Sequence, residues 1–115
     1  MIENMAEGKG RLVYHFMFTN WPDQAVPNTK PLLQYLQLIH AHHTTGPILV
    51  HCSAGIGRTG VLITIDLALA QIEKKGRCDI FEIVTELRKQ RYGMIQVKDQ
   101  YTLVYLACLD ALKSL

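Results

Sequence analysis

Ile48-Leu49-Val50-His51-Cys52-Ser53-Ala54-Gly55-Ile56-Gly57-Arg58-Thr59-Gly60-Val61 is the stretch that decides how this chain is read. The apolar run 48–50 predicts a buried strand, and the run from Val61 to Ala70 predicts a helix. Cys52 then lies on a loop between a strand end and a helix N-terminus. Such a loop turns backbone N–H groups and the positive end of the helix dipole on one spot. A dianionic phosphate fits there, and so does a thiolate. A free thiol has a pKa of about 8.5, which a helix N-terminus and a nearby cation lower to roughly 3.5–7.5. Gly55, Gly57 and Gly60 let the backbone turn tightly and approach phosphate oxygens. Ser53, Ala54, Gly55, Ile56 and Gly57 would line the anion site. Arg58 brings a planar fork that pairs two oxygens at once. Thr59 can donate a hydrogen bond to the sulfur and make it a better leaving group. Each residue type has a part in forming and breaking a cysteinyl-phosphate. A cysteine followed six positions later by arginine is a weak signal and also fits an inert cysteine near a turn. His51, the glycines, Thr59 and the strand–loop–helix frame give it specificity.

The segment resembles the signature loop of the protein tyrosine phosphatases. Trp21-Pro22-Asp23 followed by Val26-Pro27 resembles the family's mobile acid loop. Leu87-Arg88-Lys89-Gln90-Arg91 followed by Met94-Ile95-Gln96-Val97-Lys98-Asp99-Gln100-Tyr101 resembles its glutamine loop. The last pattern points to the classical, phosphotyrosine-specific branch. The likeness runs from about Arg11 to Leu115.

The resemblance implies an α/β fold: the C-terminal part of a protein tyrosine phosphatase-like fold, with few strands and four helices. It is expected as one unit, 1–115, with 1–9 flexible. The implied activity is hydrolysis of phosphotyrosine in proteins, without cofactor or metal. Cys52, Asp23, Arg58, Thr59 and Gln96 are the implied catalytic residues. Asp23 would protonate the leaving oxygen and then act as base on water. Gln96 and Gln100 would position that water by hydrogen bonding, since glutamine cannot be a general base. Gln100 would also line the substrate site. Trp21 would stiffen the acid loop, and His51 would bond nearby backbone and help stabilise the thiolate.

Two departures from the family pattern stand out. Gln24-Ala25 occupies acid-loop positions where an aromatic or His followed by Gly is more usual. The family's catalytic domain is also much longer on the N-terminal side, which carries most of the sheet and the loop that grips the phosphotyrosine ring. The expectation is therefore a fragment or truncated isoform whose sheet edge invites self-association. Two function classes follow: a cysteine-dependent phosphatase, or a catalytically weak fragment that binds phosphate or another chain.

Composition agrees with one modest core. The chain has 115 residues, 49% of them hydrophobic. A net charge of +2 with His neutral argues against a nucleic-acid surface. No apolar run reaches the ~18 residues of a membrane span. Met1-Ile2-Glu3-Asn4-Met5 lacks the basic start and apolar centre of a signal peptide. Three cysteines without a pairing pattern fit a reducing, cytoplasmic setting. Cys78 and Cys108 read as structural.

Elsewhere, Leu12 to Phe18 predicts a strand leading into the acid loop. Pro31, with Asn28 or Thr29 near the cap, predicts a helix reaching about His43. The helix after the signature loop should be central and stop at Lys74-Lys75-Gly76. Asp79-x-x-Glu82 resembles a capping box for a helix closing before Gly93. A last helix is expected from about Asp99 to Lys113. His40, His42 and His43 lack accompanying metal ligands and read as helix-end histidines favoured by the dipole.

Overall fold

The computed structural model describes residues 2–3, 12–19, 21, 27–42 and 46–113. Two short strands, β1 (Ile2–Glu3) and β2 (Leu12–Val13), pair antiparallel, Ile2 opposite Val13 and Glu3 opposite Leu12. Four helices follow: α1 (Thr29–His42), α2 (Gly57–Lys75), α3 (Ile80–Gln90) and α4 (Lys98–Lys113). No helix among the described residues is long and apolar enough to cross a membrane.

Helix α2 is the spine and packs against both α3 and α4, while α1 packs against α4. The periodicity explains the arrangement. Val61, Ile65, Ala68 and Ile72 recur on one face of α2, and all are buried. Ile80, Ile83 and Val84 meet them from α3, and Leu103, Val104, Ala107 and Cys108 from α4. Leu32 and Leu36 of α1 complete the core. Full burial of each large aliphatic side chain contributes about 1.5–3 kcal/mol. Thr64, on the buried side of α2, donates its hydroxyl to Gly60 O at 2.6 Å, so its polarity costs little.

The helix ends follow their sequence signals. Gly76 takes a left-handed conformation (φ 74°), and its N–H closes on Ile72 O at 2.8 Å. Asp79 caps α3 by accepting the Glu82 N–H at 3.0 Å. Thr29 donates its hydroxyl to the Asp110 carboxylate, which ties the start of α1 to the end of α4. The segment entering the acid loop is anchored as well. Tyr35 donates its hydroxyl to Phe16 O at 2.8 Å, and Phe18 stacks edge-on against both Trp21 and Tyr35.

The strand expectations need correction. Ile2–Glu3, placed by composition in the flexible leader, pair with β2. Of the strand expected over Leu12–Phe18, only Leu12–Val13 pair. Residues 47–52 form no strand, and Leu49 is 89% exposed. An apolar run becomes a strand only when a neighbour satisfies its N–H and C=O groups. No strand among the described residues pairs with 48–50. Among the described residues the four helices are as expected, and the strands of the α/β description reduce to one two-stranded pair.

Gly60 is where α2 meets the turn before α4. A Cβ built there would lie 2.6 Å from the backbone nitrogen of Ile95. Backbone cannot swing aside as a side chain would. Gly60→Ala should therefore cost about 1–3 kcal/mol, as overpacked sites do. The measurement is the urea midpoint of unfolding, and an unchanged midpoint would contradict this contact.

Candidate active site

The start of α2 sets the electrostatics of the site. Its N-cap is Ile56, whose side chain cannot cap, so the first N–H groups of the helix are not taken by an adjacent hydroxyl or carboxylate. Cys52 uses them. Thr59 donates its hydroxyl to Cys52 Sγ at 3.0 Å, and the backbone N–H groups of Thr59 and Gly55 also point at the sulfur. Burial alone would raise the Cys52 thiol. The hydrogen bonds from Thr59 and Gly55, with the Arg58 charge, outweigh it and bring the pKa down to about 7.

Arg58 spreads its fork across two loops. Nη2 donates to Ser53 Oγ at 2.7 Å, and Nη1 donates to the Trp21 carbonyl at 2.8 Å. Trp21 is buried at 6% exposure. The residue opening the acid loop is therefore in direct contact with the arginine of the signature loop. Pro22, Asp23, Gln24 and Ala25 lie outside the described residues.

Gln96 and Gln100 come against the signature loop from the other side. A Cβ built on Gly57 would collide with Gln96 Oε1 and lie 3.1 Å from Gln100 Nε2. Gly57 thus admits both amides close to the helix start. Gln100 is fully buried. Its Oε1 accepts the backbone N–H of Gln96 at 2.9 Å and of Val97 at 3.3 Å. Its Nε2 is buried without a hydrogen-bond partner among the described residues. The structure places Gln100 behind Gln96, holding the turn, while Gln96 itself is exposed.

His51 is not on a buried strand. It is exposed, and its ring stacks on His15 with centroids 6.5 Å apart and planes 8° from parallel. Residues 47–51 form no strand, so His51 is not held in a sheet. His40 Nε2 meets Asp66 Oδ1 at 2.6 Å, and His42 Nδ1 donates to Leu38 O at 2.9 Å. Among the described residues no group of three or more metal-ligating side chains occurs. His43 lies outside them.

Two arginines of the glutamine-loop pattern, to which the sequence assigned no role of their own, brace the site. Arg91 donates Nε to Gly55 O and Nη2 to Ala54 O, both at 2.9 Å. Arg88 donates Nε to Met94 O and Nη2 to Ile95 O, both at 2.9 Å. A signal for Arg91 was present. A loop that turns its N–H groups inward on an anion turns carbonyls outward, and these need donors. Ile95 needs support of its own, because it is β-branched with φ at 69°. Arg88 holds its carbonyl, and Ile56 O takes its N–H at 2.7 Å.

Comparisons with known proteins agree with this geometry. A family model described as protein-tyrosine phosphatase matches residues 1–110. Tyrosine-protein phosphatase non-receptor type 20 of Mus musculus is 46% identical over 115 residues, covering 99% of this chain and 27% of that protein. Receptor-type tyrosine-protein phosphatase F of Homo sapiens is 41% identical over 118 residues, covering 98% of this chain and 6% of that protein. The crystal structure of a Trypanosoma brucei protein tyrosine phosphatase is similar with a TM-score of 0.77 at 41% identity, over 84% of this chain and 35% of that one. The chain belongs to the protein-tyrosine phosphatase family. It spans about a quarter of the length of the mouse relative.

The site predicts the reactivity of Cys52. Its iodoacetamide alkylation rate should rise through a midpoint near pH 7, because the thiolate is the reacting form and its pKa is about 7. Thr59→Ala should move that midpoint up by about one to two pH units, since a hydrogen bond to a charged group is worth about 1.5–3 kcal/mol. An unshifted midpoint would remove Thr59 from the account.

Proposed function

We propose that this member of the protein-tyrosine phosphatase family hydrolyses phosphotyrosine in proteins through a cysteinyl-phosphate intermediate. The observation that carries the reading is the Cys52 sulfur held at 3.0 Å by the Thr59 hydroxyl and lowered to a pKa of about 7. In the first step the Cys52 thiolate attacks phosphorus in line with the ester oxygen. Arg58 and the loop N–H groups take the equatorial oxygens, exchanging the present Arg58–Ser53 bond for bonds to phosphate. Asp23 gives its proton to the departing phenolic oxygen. In the second step Gln96 orients a water, Asp23 takes a proton from it, the water oxygen bonds to phosphorus, and the S–P bond breaks to release inorganic phosphate. Thr59 then stabilises the returning thiolate. Gln100 and Arg91 position the groups that touch substrate. The setting that suits an oxidisable thiolate is a reducing one, such as the cytoplasm.

A second reading is favoured by the segment 47–51. Ile48 and Leu49 are exposed there at 43% and 89%, directly before the nucleophile. A chain with that unpaired run can bind phosphate at the helix end yet turn over slowly, and it can self-associate through the same run.

Turnover of p-nitrophenyl phosphate separates the two. The first reading expects hydrolysis that vanishes in Cys52→Ser and falls by about 10²–10⁴-fold in Asp23→Asn, the usual worth of a general acid. It also expects hydrolysis of a phosphotyrosine peptide and none of its phosphoserine counterpart. Vanadate binding without turnover, with concentration-dependent light scattering, would establish the second. Arg58→Lys should weaken vanadate binding on either reading by roughly tenfold or more, since the bidentate geometry is lost.

A further inference from the structure

A cavity of about 340 Å³ opens between α3 and the start of α4, and no residue of the anion loop lines it. That volume is in the range of small ligand pockets. Phe81 and Val84 wall it from α3, and Tyr101 from α4. Phe81 is 71% exposed there. The Tyr101 hydroxyl is shared with Tyr105 at 3.2 Å, and the two rings meet edge-on with centroids 5.3 Å apart. The polar end of Tyr101 is thus engaged elsewhere, and its ring serves as an apolar wall. Two cations, Arg88 and Lys98, line the same cavity. Glu82, Glu86 and Asp99, the acids of the adjacent turns, do not. Glu86 is already bonded to Lys89 at 2.9 Å. Arg88 gives Nε and Nη2 to the carbonyls of Met94 and Ile95, which hold its plane but leave its charge uncompensated. Lys98 makes no hydrogen bond or ion pair among the described residues. In the first turn of α4 its charge opposes the helix dipole, so it does nothing for α4 itself. Gln96 belongs to both places: it lines the cavity, and its Oε1 lies against Gly57 at the start of α2.

We propose that this α3–α4 cavity is a recognition site for the chain that flanks the phosphotyrosine, and that it takes an acidic residue with an apolar neighbour. The inference rests on the phosphatase reading and adds which phosphotyrosine segments are preferred. The fit is one of charge and surface. The carboxylate of an aspartate or glutamate meets Lys98 and Arg88 with no acid of this chain lining the cavity to repel it. The apolar neighbour lies on Phe81, Val84 and the Tyr101 ring, and takes the exposed Phe81 surface out of water. A lysine or arginine at the same position would face two like charges, so the site discriminates by repulsion as well as by attraction. The shared Gln96 sets the distance. Extended chain advances about 3.3–3.6 Å per residue, so a peptide whose phosphate lies on the Cys52 loop crosses Gln96 and enters the cavity within roughly two to four residues. The cations here are separate from Arg58, which belongs to the phosphate itself.

The test uses the full chain with Cys52→Ser, so that binding is read without turnover. Fluorescein-labelled phosphotyrosine peptides carry Glu-Leu, Gln-Leu or Lys-Leu at each position up to four residues on either side, and affinity is read by anisotropy. At one or more of these positions the Glu peptide should bind about threefold to tenfold tighter than the Gln peptide, the size that one or two exposed ion pairs supply, and the Lys peptide weaker still. Adding Lys98→Glu should remove the preference for Glu and raise the affinity for the Lys peptide. That gain is one a misfolded variant could not show. Lys113→Glu, a cation at the far end of α4, should leave the order unchanged. Phe81→Ala should weaken the Glu-Leu peptide and leave a Glu-Ser peptide as it was. In the chain with Cys52 intact, Lys98→Glu should not alter turnover of p-nitrophenyl phosphate, which is too small to reach the cavity. Absence of that turnover in the unmodified chain would sink the phosphatase reading and leave the binding comparison standing. The recognition site is overturned if the three peptides bind alike at every position, if Lys98→Glu leaves their order as it was, if Lys113→Glu changes it as much, or if a peptide with unphosphorylated tyrosine binds as tightly as its phosphorylated form.

Discussion

One carbonyl, that of Ile56, joins the parts of this site that are far apart in sequence. It accepts the Gly60 N–H at 3.1 Å, which opens the ladder of α2, and the Ile95 N–H at 2.7 Å, which docks the glutamine turn against the helix start. The double bond sets what its neighbours can be. Gly60 must lack a side chain because the Ile95 backbone lies where its Cβ would go. Ile95 must accept φ at 69°, a conformation that costs a β-branched residue of order 1–3 kcal/mol. Arg88, bonded to the carbonyls of Met94 and Ile95, holds the turn in that state. The strain is local to the residue next to Gln96, so it serves to present the glutamine rather than to stabilise the fold.

A division of labour between two arginines follows from the same loop geometry. The Gly55 and Thr59 N–H groups face the sulfur, while the Ala54 and Gly55 carbonyls turn to Arg91. Arg58 lies on the inner side and reaches Ser53 and the Trp21 carbonyl. Arg91 lies on the outer side and ties Ala54 and Gly55. Each uses two donors in a fixed plane, which a lysine could not reproduce. Without Arg91 the outward carbonyls would have only water, and the inward N–H groups would be free to turn from the anion. Arg91 thus braces the carbonyl side of the loop whose Gly55 N–H reaches the Cys52 sulfur.

Much of this was legible in the sequence, and for a physical reason. Helices are local. Their caps at Asp79 and Gly76, their apolar faces and their ends all lie within a few residues of the signals that set them. The pairing of Cys52 with Thr59 is likewise a seven-residue matter. The elements that failed are those that need distant partners. Leu12 to Phe18 and Ile48 to Val50 have the composition of strands, but a strand is a relation between segments, and only Leu12–Val13 find one. His51 was misplaced with its strand. Gln100 was assigned to the substrate because its sequence neighbourhood matched a loop, and nothing local says that its amide turns inward onto the Gln96 backbone. Arg91 was passed over because its partners are backbone carbonyls far upstream.

The absence of a strand before Cys52 leaves the groups around its sulfur in place, and the reason lies in which side holds the sulfur. Every group that lowers the Cys52 pKa comes from positions after it: Gly55, Arg58 and Thr59. These belong to the loop and first turn of α2, and α2 is anchored by Val61, Ile65 and Ala68 in the core. The approach from residues 47–51 adds no donor to the sulfur. Thiolate stabilisation is thus a property of the helical part of the fold, supplied by α2 and braced by α3 and α4. What an ordered strand would add is the direction from which Cys52 enters the loop, hence the in-line angle of attack. Stabilisation of the thiolate and the aim that the proposed attack requires are separable in this architecture. The helices provide the first, and a paired segment 48–50 would provide the second.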